Sequence, residues 1–190
     1  MKVLKWILIT IVGIIALVLI VALFVKKEYA VERGIVINKP QAVVFDYVKY
    51  LKNQDNYSVW AKMDPAMKRE YRGTDGTVGF VAAWDSENKH VGKGEQEITG
   101  IVEGEKIDYQ LRFFEPMESQ DHTYFTLANE GENSTKIIWG FDGKINYPMN
   151  LMLLFMDMEK MLAPDLEQGL TNLKEIVEKQ EQPEEALTVE

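Results

Sequence analysis

Residues 147–174 read YPMNLMLLFMDMEKMLAPDLEQGLTNLK, and this stretch decides the fold of the main part of the chain. Its apolar residues recur every three or four positions, which is the spacing of one helix face rather than the alternation of a strand. Pro148 suits the first turn of a helix, whereas Pro164 interrupts the run. We therefore expect one long C-terminal helix, kinked or broken just before Asp165. Its apolar stripe consists of Leu151, Leu154, Phe155, Met158, Leu162, Leu166, Leu170, Leu173 and Val177.

Short segments with alternating apolar and polar residues fill most of the chain before this helix. Between the first two of them, Pro40 begins a short helix with an apolar stripe, and residues 53–61 predict a second short helix that carries Trp60. Glycine-containing acidic breaks between the later segments suit hairpin turns and predict an antiparallel meander. A sheet curled around the C-terminal helix would bury the stripe and leave a cavity. The expected strands are residues 29–37, 68–72, 78–84, 91–102, 106–114, 122–129 and 135–145.

A long uncharged segment precedes these elements. Residues 6–25, WILITIVGIIALVLIVALFV, would span roughly 30 Å as a helix at about 1.5 Å per residue, which is the thickness of the hydrocarbon core of a bilayer. A cleavable signal peptide is the alternative, but its apolar region is usually about 7 to 15 residues long and precedes a small-x-small cleavage site. Here the segment ends in LFV and two lysines. We therefore expect residues 1–27 to be an uncleaved, single-pass transmembrane anchor.

The orientation of the anchor depends on the basic residues that flank it. Lys2, Lys5 and the amino terminus on one side are nearly balanced by Lys26, Lys27 and Arg33 on the other. We expect the amino terminus inside the cytoplasm and the domain outside it.

Charge and composition limit the partners of the remaining chain. One domain is expected over residues 29–178, followed by an acidic, flexible tail over residues 179–190. The whole chain has a formal net charge of −9, but residues 28–190 carry 17 basic against 30 acidic side chains, a net charge of −13. Such an acidic body repels phosphate backbones, which argues against a nucleic acid partner. The absence of cysteine excludes disulfides, thiolate catalysis and zinc–thiolate sites.

Five short motifs accompany this order of elements: INKPQAVVFDYV at residues 37–48, YSVWAKMDP at 57–65, YRGTDGTVG at 71–79, GKGEQEIT at 92–99 and LEQGLTNLK at 166–174. Together they resemble the SRPBCC superfamily (START-like, birch-pollen-allergen-like), in particular its bacterial polyketide cyclase/dehydrase-type members, over roughly residues 30–178. The resemblance implies an α+β helix-grip fold, in which a curved antiparallel sheet wraps around a long C-terminal helix and two short helices follow the first strand. Members of the superfamily bind lipids, sterols, polyketides, quinones or other apolar molecules between sheet and helix, and only some are enzymes.

The residues with catalytic potential show no catalytic spacing. His90 and His122 are the only histidines and lack the local spacing of metal ligands, and no serine lies in a GxSxG elbow. The glycines at Gly73, Gly76 and Gly79 fit a turn better than a phosphate-binding loop, because no Walker lysine follows them. We expect neither a metal nor a cofactor.

Aromatic and methionine residues are the better candidates for a binding site. Flexible methionine side chains fill irregular gaps and tolerate varied ligands, so a methionine-rich helix that faces aromatic rings suits an adaptable apolar pocket. Packing in an ordinary core is equally compatible with any single one of these residues. The predicted ligand-binding residues are Trp60, Trp84, Tyr109, Phe113, Trp139, Phe141, Met152, Phe155 and Met156.

Three functions remain open. The first is a membrane-anchored binding protein for a hydrophobic small molecule or lipid, held near the bilayer in which such ligands dissolve. The second is an enzyme of cyclase, dehydratase or hydrolase type that uses polar cavity residues such as Glu97, Tyr109 or Arg112. The third is an interaction module without a ligand. We favour the first, because the candidate residues are mainly apolar.

Overall fold

The computed structural model describes residues 2–180. A long helix, one strand and three short helices come first in the chain, and six strands and a long C-terminal helix follow them. In chain order the elements are α1 (Lys2–Phe24), β1 (Glu28–Ile37), α2 (Gln41–Val48), a 3₁₀ turn (Leu51–Asn53), α3 (Gln54–Tyr57), α4 (Val59–Met63), β2 (Lys68–Arg72), β3 (Val81–Asp85), β4 (Lys93–Val102), β5 (Lys106–Glu115), β6 (Ser119–Gly131), β7 (Ser134–Lys144), a 3₁₀ helix (Met149–Leu154) and α5 (Met158–Lys179).

The seven strands form one antiparallel sheet in the order β1-β7-β6-β5-β4-β3-β2. Its concave face is apolar because alternate residues of each strand point inward, as Ile137, Trp139 and Phe141 do on β7. The predicted helix-grip fold is therefore confirmed. Two strands begin later than expected: β3 starts at Val81 and β4 at Lys93, because Gly79 and Gly92 have φ values of 89° and 65°, which a strand cannot accommodate.

Helix α5 supplies the centre of the core. Leu166, Leu170, Leu173 and Val177 are at most 1% exposed and pack against the concave face of the sheet. Each buried leucine stabilises the fold by about 1.5 to 3 kcal/mol relative to an exposed one. The part of the predicted apolar stripe from Leu166 onward is thus the contact between helix and sheet.

The position of the break in the C-terminal helix was predicted wrongly. Asp157 caps α5 by accepting a hydrogen bond from the backbone N–H of Lys160, so the helix begins at Met158. Pro164 lies inside α5 and the helix continues through it. The first part of the predicted stripe, which contains Leu154 and Phe155, lies in residues 147–156, and we call these residues the linker segment. Both side chains are exposed there rather than packed on the sheet.

Two other boundaries differ from the sequence-based expectation. The expected single helix over residues 53–61 is divided into α3 and α4, because Ser58 adopts an extended backbone conformation between them. The acidic tail expected over residues 179–190 lies almost entirely outside the described residues. Helix α1 is exposed along nearly its whole length, and it is long and apolar enough to be a membrane span or a signal sequence.

Two leucines of the predicted stripe test this division of the C-terminal region. Leu166→Ala should lower the free energy of unfolding by about 2 to 5 kcal/mol, because it leaves a cavity in the core. Leu154→Ala should change it by less than about 0.5 kcal/mol, because this side chain is exposed. Both values can be measured by urea unfolding of the full-length protein in amphipol, so that no bilayer covers Leu154. Equal losses for the two variants would show that the linker segment packs on the sheet after all.

Candidate functional site

A cavity of about 330 Å³ lies between the concave face of the sheet, the beginning of α5 and the short helices α3 and α4. Trp60 of α4 and Met158 and Leu162 of α5 form its helical side. Tyr29 and Phe141 also line it, which places the cavity at the end of the sheet where β1 begins and β7 ends. Its volume lies at the lower end of the range of about 300 to 1,000 Å³ that is usual for small-molecule sites.

Three aromatic pairs form much of the apolar wall. The ring centroids are 6.0, 5.8 and 6.2 Å apart in the pairs Trp60–Trp139, Trp84–Phe113 and Tyr29–Phe141. The first two pairs meet edge to face, and the third is stacked. Such pairs contribute about 0.5 to 1.5 kcal/mol beyond their buried area, so the rings hold one another in position. The wall is therefore formed before any ligand arrives.

One polar side chain in the cavity has no hydrogen-bond partner. Gln96 on β4 is only 7% exposed, and its Nε2 has no partner among residues 2–180. It faces inward because it lies between Glu95 and Glu97, which point to the other face of the strand. A buried amide without a partner costs about 1 to 3 kcal/mol, so a hydrogen-bonding group on a ligand would be stabilised here.

A buried carboxyl group lies near the strand ends. Asp121 on β6 is 5% exposed, and its Oδ2 accepts a hydrogen bond of 2.8 Å from Ser119 Oγ. Burial raises the pKa of Asp121, although the hydrogen bonds from Ser119 and the backbone N–H of Lys144 act in the opposite direction. Burial also raises the pKa of the neighbouring Tyr29 hydroxyl, and the charge of Asp121 adds to this effect. The cavity thus combines an apolar wall with a small polar region.

Polar contacts connect the short helices to the edge of the sheet beside the cavity. Asp55 of α3 pairs with the guanidinium of Arg69 on β2, and its Oδ2 accepts a hydrogen bond of 2.9 Å from the hydroxyl of Tyr71. All three residues line the cavity. They hold α3 against the edge strand β2.

The structure brings five of the nine predicted ligand-binding residues together in the cavity wall: Trp60, Trp84, Phe113, Trp139 and Phe141. The other four do not line the cavity. Tyr109 is in the packed core, where its ring meets Phe125 edge to face and its hydroxyl donates to the carbonyl of Val48. Ligand binding by any of the nine remains a prediction.

The remaining three predicted residues, Met152, Phe155 and Met156, lie in the linker segment. The assumption of a continuous helix placed them opposite the aromatic rings, but the break before α5 carries them away from the sheet. Phe155 is 88% exposed. Two other methionines, Met67 and Met158, line the cavity instead.

Sequence reasoning missed Tyr29, Gln96 and Asp121. Strand alternation could have identified the last two, because Gln96 shares a face with Ile98 and Asp121 shares one with Phe125. Their polarity argued for the solvent-exposed face, and only the structure shows that both point into the cavity.

The polar residues named for the enzyme alternative do not face the cavity. Arg112 pairs with Glu95 at 2.9 Å and with Glu97 at 2.5 Å on the outer face of the sheet. Partial burial acts to raise the pKa of Glu95, but hydrogen bonds from Arg72 and Arg112 outweigh it and hold this pKa below its usual value. These residues form a surface ion-pair network.

The two histidines lie in different surroundings. His90 is in an exposed turn, as expected, and it also lines the cavity. His122 is on the outer face of β6 between Asp108, at 2.8 Å, and Asp142, at 3.3 Å. Within residues 2–180, no group of three histidine or acidic residues has an arrangement that could hold a metal ion.

Comparison with known proteins supports the fold. No protein-family model matches the chain, and no curated protein matches it. Norcoclaurine synthase from Thalictrum flavum, solved in complex with dopamine and hydroxybenzaldehyde, matches with a TM-score of 0.62 at 10% identity, over 82% of this chain and 90% of the synthase. A protein from Chromobacterium violaceum matches with a TM-score of 0.55 at 16% identity, over 80% and 98% of the two chains.

A third solved structure, Ara h 8.0201, matches with a TM-score of 0.52 at 18% identity, over 80% of this chain and 95% of its own. Norcoclaurine synthase and Ara h 8.0201 belong to the SRPBCC helix-grip superfamily. At these identities the matches show that this chain has the same helix-grip fold.

The buried carboxyl predicts a pH-dependent stability. Because the pKa of Asp121 is raised in the folded state, the protein gains stability as the pH falls through that pKa, and the ionised carboxylate is unfavourable at neutral pH. Asp121→Asn should therefore raise the Tm at pH 7, by about 2 to 4 °C for each kcal/mol gained. The difference from the wild-type protein should narrow as the pH falls. Thermal unfolding between pH 4 and pH 8 measures both effects.

Asp108→Asn is the matched control, with the opposite expected sign. Partial burial acts to raise the pKa of Asp108, but hydrogen bonds from Lys106 and His122 outweigh it and lower this pKa. The Asp108 carboxylate therefore stabilises the protein at neutral pH and loses this effect as the pH falls through the folded-state pKa. The variant should lose about 0.2 to 1 kcal/mol at pH 7. A Tm that falls for both variants at pH 7 would contradict the account of Asp121.

Proposed function

We propose that the protein binds a hydrophobic small molecule or lipid in the cavity between the sheet and α5. The observation that carries this proposal is a cavity of about 330 Å³ whose walls are mainly aromatic and aliphatic side chains. Each Å² of apolar ligand surface that leaves water contributes about 25 cal/mol to binding. The same observation argues against the third hypothesis, because an interaction module without a ligand would need no such space.

The polar groups of the cavity narrow the class of ligand. Gln96 offers an amide without a partner, and Asp121 offers a carboxyl group whose pKa is raised by burial. A wholly apolar ligand would leave the Gln96 amide unsatisfied, whereas a ligand with one hydrogen-bonding group would pair with it. We propose an amphipathic ligand with a large apolar part and one such group.

Helix α1 supports a location at the membrane. All of its 23 residues except Ala22 are exposed, and all except Lys2 and Lys5 are uncharged. At about 1.5 Å per residue the helix is long enough to cross a bilayer. We propose an uncleaved single-pass anchor, with the amino terminus in the cytoplasm and the helix-grip domain, residues 29–178, outside it. An anchored pocket would stay close to the bilayer, where apolar ligands are concentrated. We also propose that the domain belongs to the SRPBCC superfamily.

An enzyme of the cyclase or dehydratase type is the second candidate, and Asp121 is the observation that favours it. A carboxyl group with a raised pKa inside an apolar cavity can hold a proton and release it to a bound compound. Asp121→Asn separates the two functions. A binding protein should keep its ligand unchanged before and after the substitution, whereas an enzyme should convert a compound only with Asp121 present.

Filling the cavity should abolish binding. Ala82 lies on the inner face of β3 and lines the cavity, so Ala82→Phe should occupy ligand space. Ala128 is exposed on β6, and Ala128→Phe is the matched control. Full-length protein in amphipol can be incubated with an organic membrane extract, isolated again and examined by native mass spectrometry. We expect the wild-type protein and the control to retain an apolar compound and Ala82→Phe to retain at least tenfold less. Equal retention by all three, or none by the wild-type protein, would contradict the proposal.

Replacing the unpartnered amide of Gln96 should weaken ligand binding without lowering the stability of the ligand-free protein. Gln96→Leu should leave the Tm of the ligand-free protein unchanged or higher, because no buried donor remains unsatisfied. Its Kd for the compound recovered from the extract should rise by roughly 2- to 10-fold, which corresponds to the loss of one hydrogen bond. Calorimetric titration and thermal unfolding measure the two quantities. Binding as tight as that of the wild-type protein would show that Gln96 does not contact the ligand.

A further inference from the structure

The linker segment presents an exposed apolar surface for which the core has no use. Residues 147–156, YPMNLMLLFM, contain no charged side chain. Tyr147, Met149, Leu154 and Phe155 are all exposed, and Phe155 is the most exposed large apolar side chain of the described residues. Contiguous exposed apolar residues of this kind usually mark a surface that contacts another molecule or a membrane.

The linker segment is attached to the end of the apolar helix α1. The side-chain amide of Asn150 donates hydrogen bonds to the carbonyl oxygens of Ala22, at 2.8 Å, and of Val25, at 3.0 Å. The Ala22 carbonyl lies in the last turn of α1, where helical partners are missing, and the Val25 carbonyl follows directly after the helix end at Phe24. Asn150 is fully buried, and Ala22 is the only buried residue of α1. The contact therefore fixes the linker segment beside the last turn of the helix.

The position of this contact along α1 indicates its depth in a membrane. If the uncharged residues 6–25 cross a bilayer symmetrically, Ala22 lies about 10 Å from the middle of the membrane at 1.5 Å per residue. The hydrocarbon core extends about 15 Å from its middle, so Ala22 lies inside its boundary. A segment that covers Ala22 must reach the same boundary. The charged residues Lys26 and Asp157 lie just beyond the two contacting segments, as expected where the chain leaves the apolar layer.

We propose that the linker segment is a second membrane-binding element, which lies in the bilayer interface with Leu154 and Phe155 inserted among the acyl chains. Tyr147 lies at the level of the headgroups, where amphipathic rings are favoured. This inference rests on the proposed anchoring by α1. The bilayer then covers the exposed apolar residues, and burial of their surface holds the domain at a fixed height.

Membrane contact through the linker segment would also orient the cavity. Met158 lines the cavity and follows the linker segment after one residue, and Tyr29 lines it only a few residues beyond α1. The end of the sheet that carries the cavity is therefore the end that faces the bilayer. An apolar ligand could then pass between membrane and cavity over a short distance.

The absence of cysteine allows a direct test with single spin labels. Phe155→Cys tests the linker segment, Ala128→Cys is an exposed control on the sheet, and Leu17→Cys reports on α1. Each full-length variant is labelled with a nitroxide and reconstituted into vesicles of phosphatidylcholine and phosphatidylglycerol. Collision rates with oxygen, which dissolves in acyl chains, and with a water-soluble nickel complex are then measured. All three side chains are exposed, so the substitutions should not unfold the protein.

The proposal predicts that the labels at positions 155 and 17 collide mainly with oxygen and that the label at position 128 collides mainly with nickel. A label at 155 that collides with nickel as often as the control overturns the proposal. If the label at 17 is then still immersed, the anchor stands and only the second element fails. If the label at 17 is also in water, the proposed anchoring fails as well. If the label at 155 is in the acyl chains but the label at 17 is in water, the linker segment contacts the membrane but α1 does not span it.

Discussion

The fold and the cavity both depend on the contact between Trp139 and α5. Gly169 faces the Trp139 ring so closely that a Cβ at this position would lie 2.7 Å from the ring. The ring therefore fills the space beside the helix and packs against Tyr57 and Phe125 in the core. On its other side it meets Trp60 and lines the cavity. Trp139 thus separates the part of α5 that packs on the sheet from the part that leaves space.

The break before α5 explains why the cavity lies at one end of the sheet. The core residues Leu166, Leu170 and Leu173 come from the middle and later turns of the helix, whereas Met158 and Leu162 of the first turns border the cavity. The linker segment does not continue the helix across the sheet. Instead it turns to the end of α1, where the Asn150 amide donates hydrogen bonds to the carbonyls of Ala22 and Val25. The chain changes direction before α5. This change leaves space for a ligand and exposes an apolar surface beside α1, the candidate membrane span.

Local patterns in the sequence predicted the strands, the order of elements and five of the cavity residues. Alternation on β7 identified Trp139 and Phe141 because their inward position follows from period two alone. The sequence could not locate the break, because Pro164 is the more obvious helix breaker and the capping by Asp157 depends on local geometry. The sequence could not identify Gln96 and Asp121 either. Residue type alone does not distinguish a polar side chain on the cavity-facing side of a strand from one on the solvent-facing side. The apolar character of the linker segment was seen but assigned to the core.

An apolar ligand bound in the cavity would lie beside Trp139, and methionine methyl NMR can detect it there. Met67 and Met158 line the cavity, whereas Met117 and Met161 are exposed and do not line it. Full-length protein with ¹³C-methyl methionine, in amphipol, is titrated with the compound recovered from a membrane extract. We expect large shifts and ligand contacts for the methyl groups of Met67 and Met158, and none for those of Met117 and Met161. Shifts confined to Met117 and Met161, with Met67 and Met158 unchanged, would show that the compound does not enter the cavity.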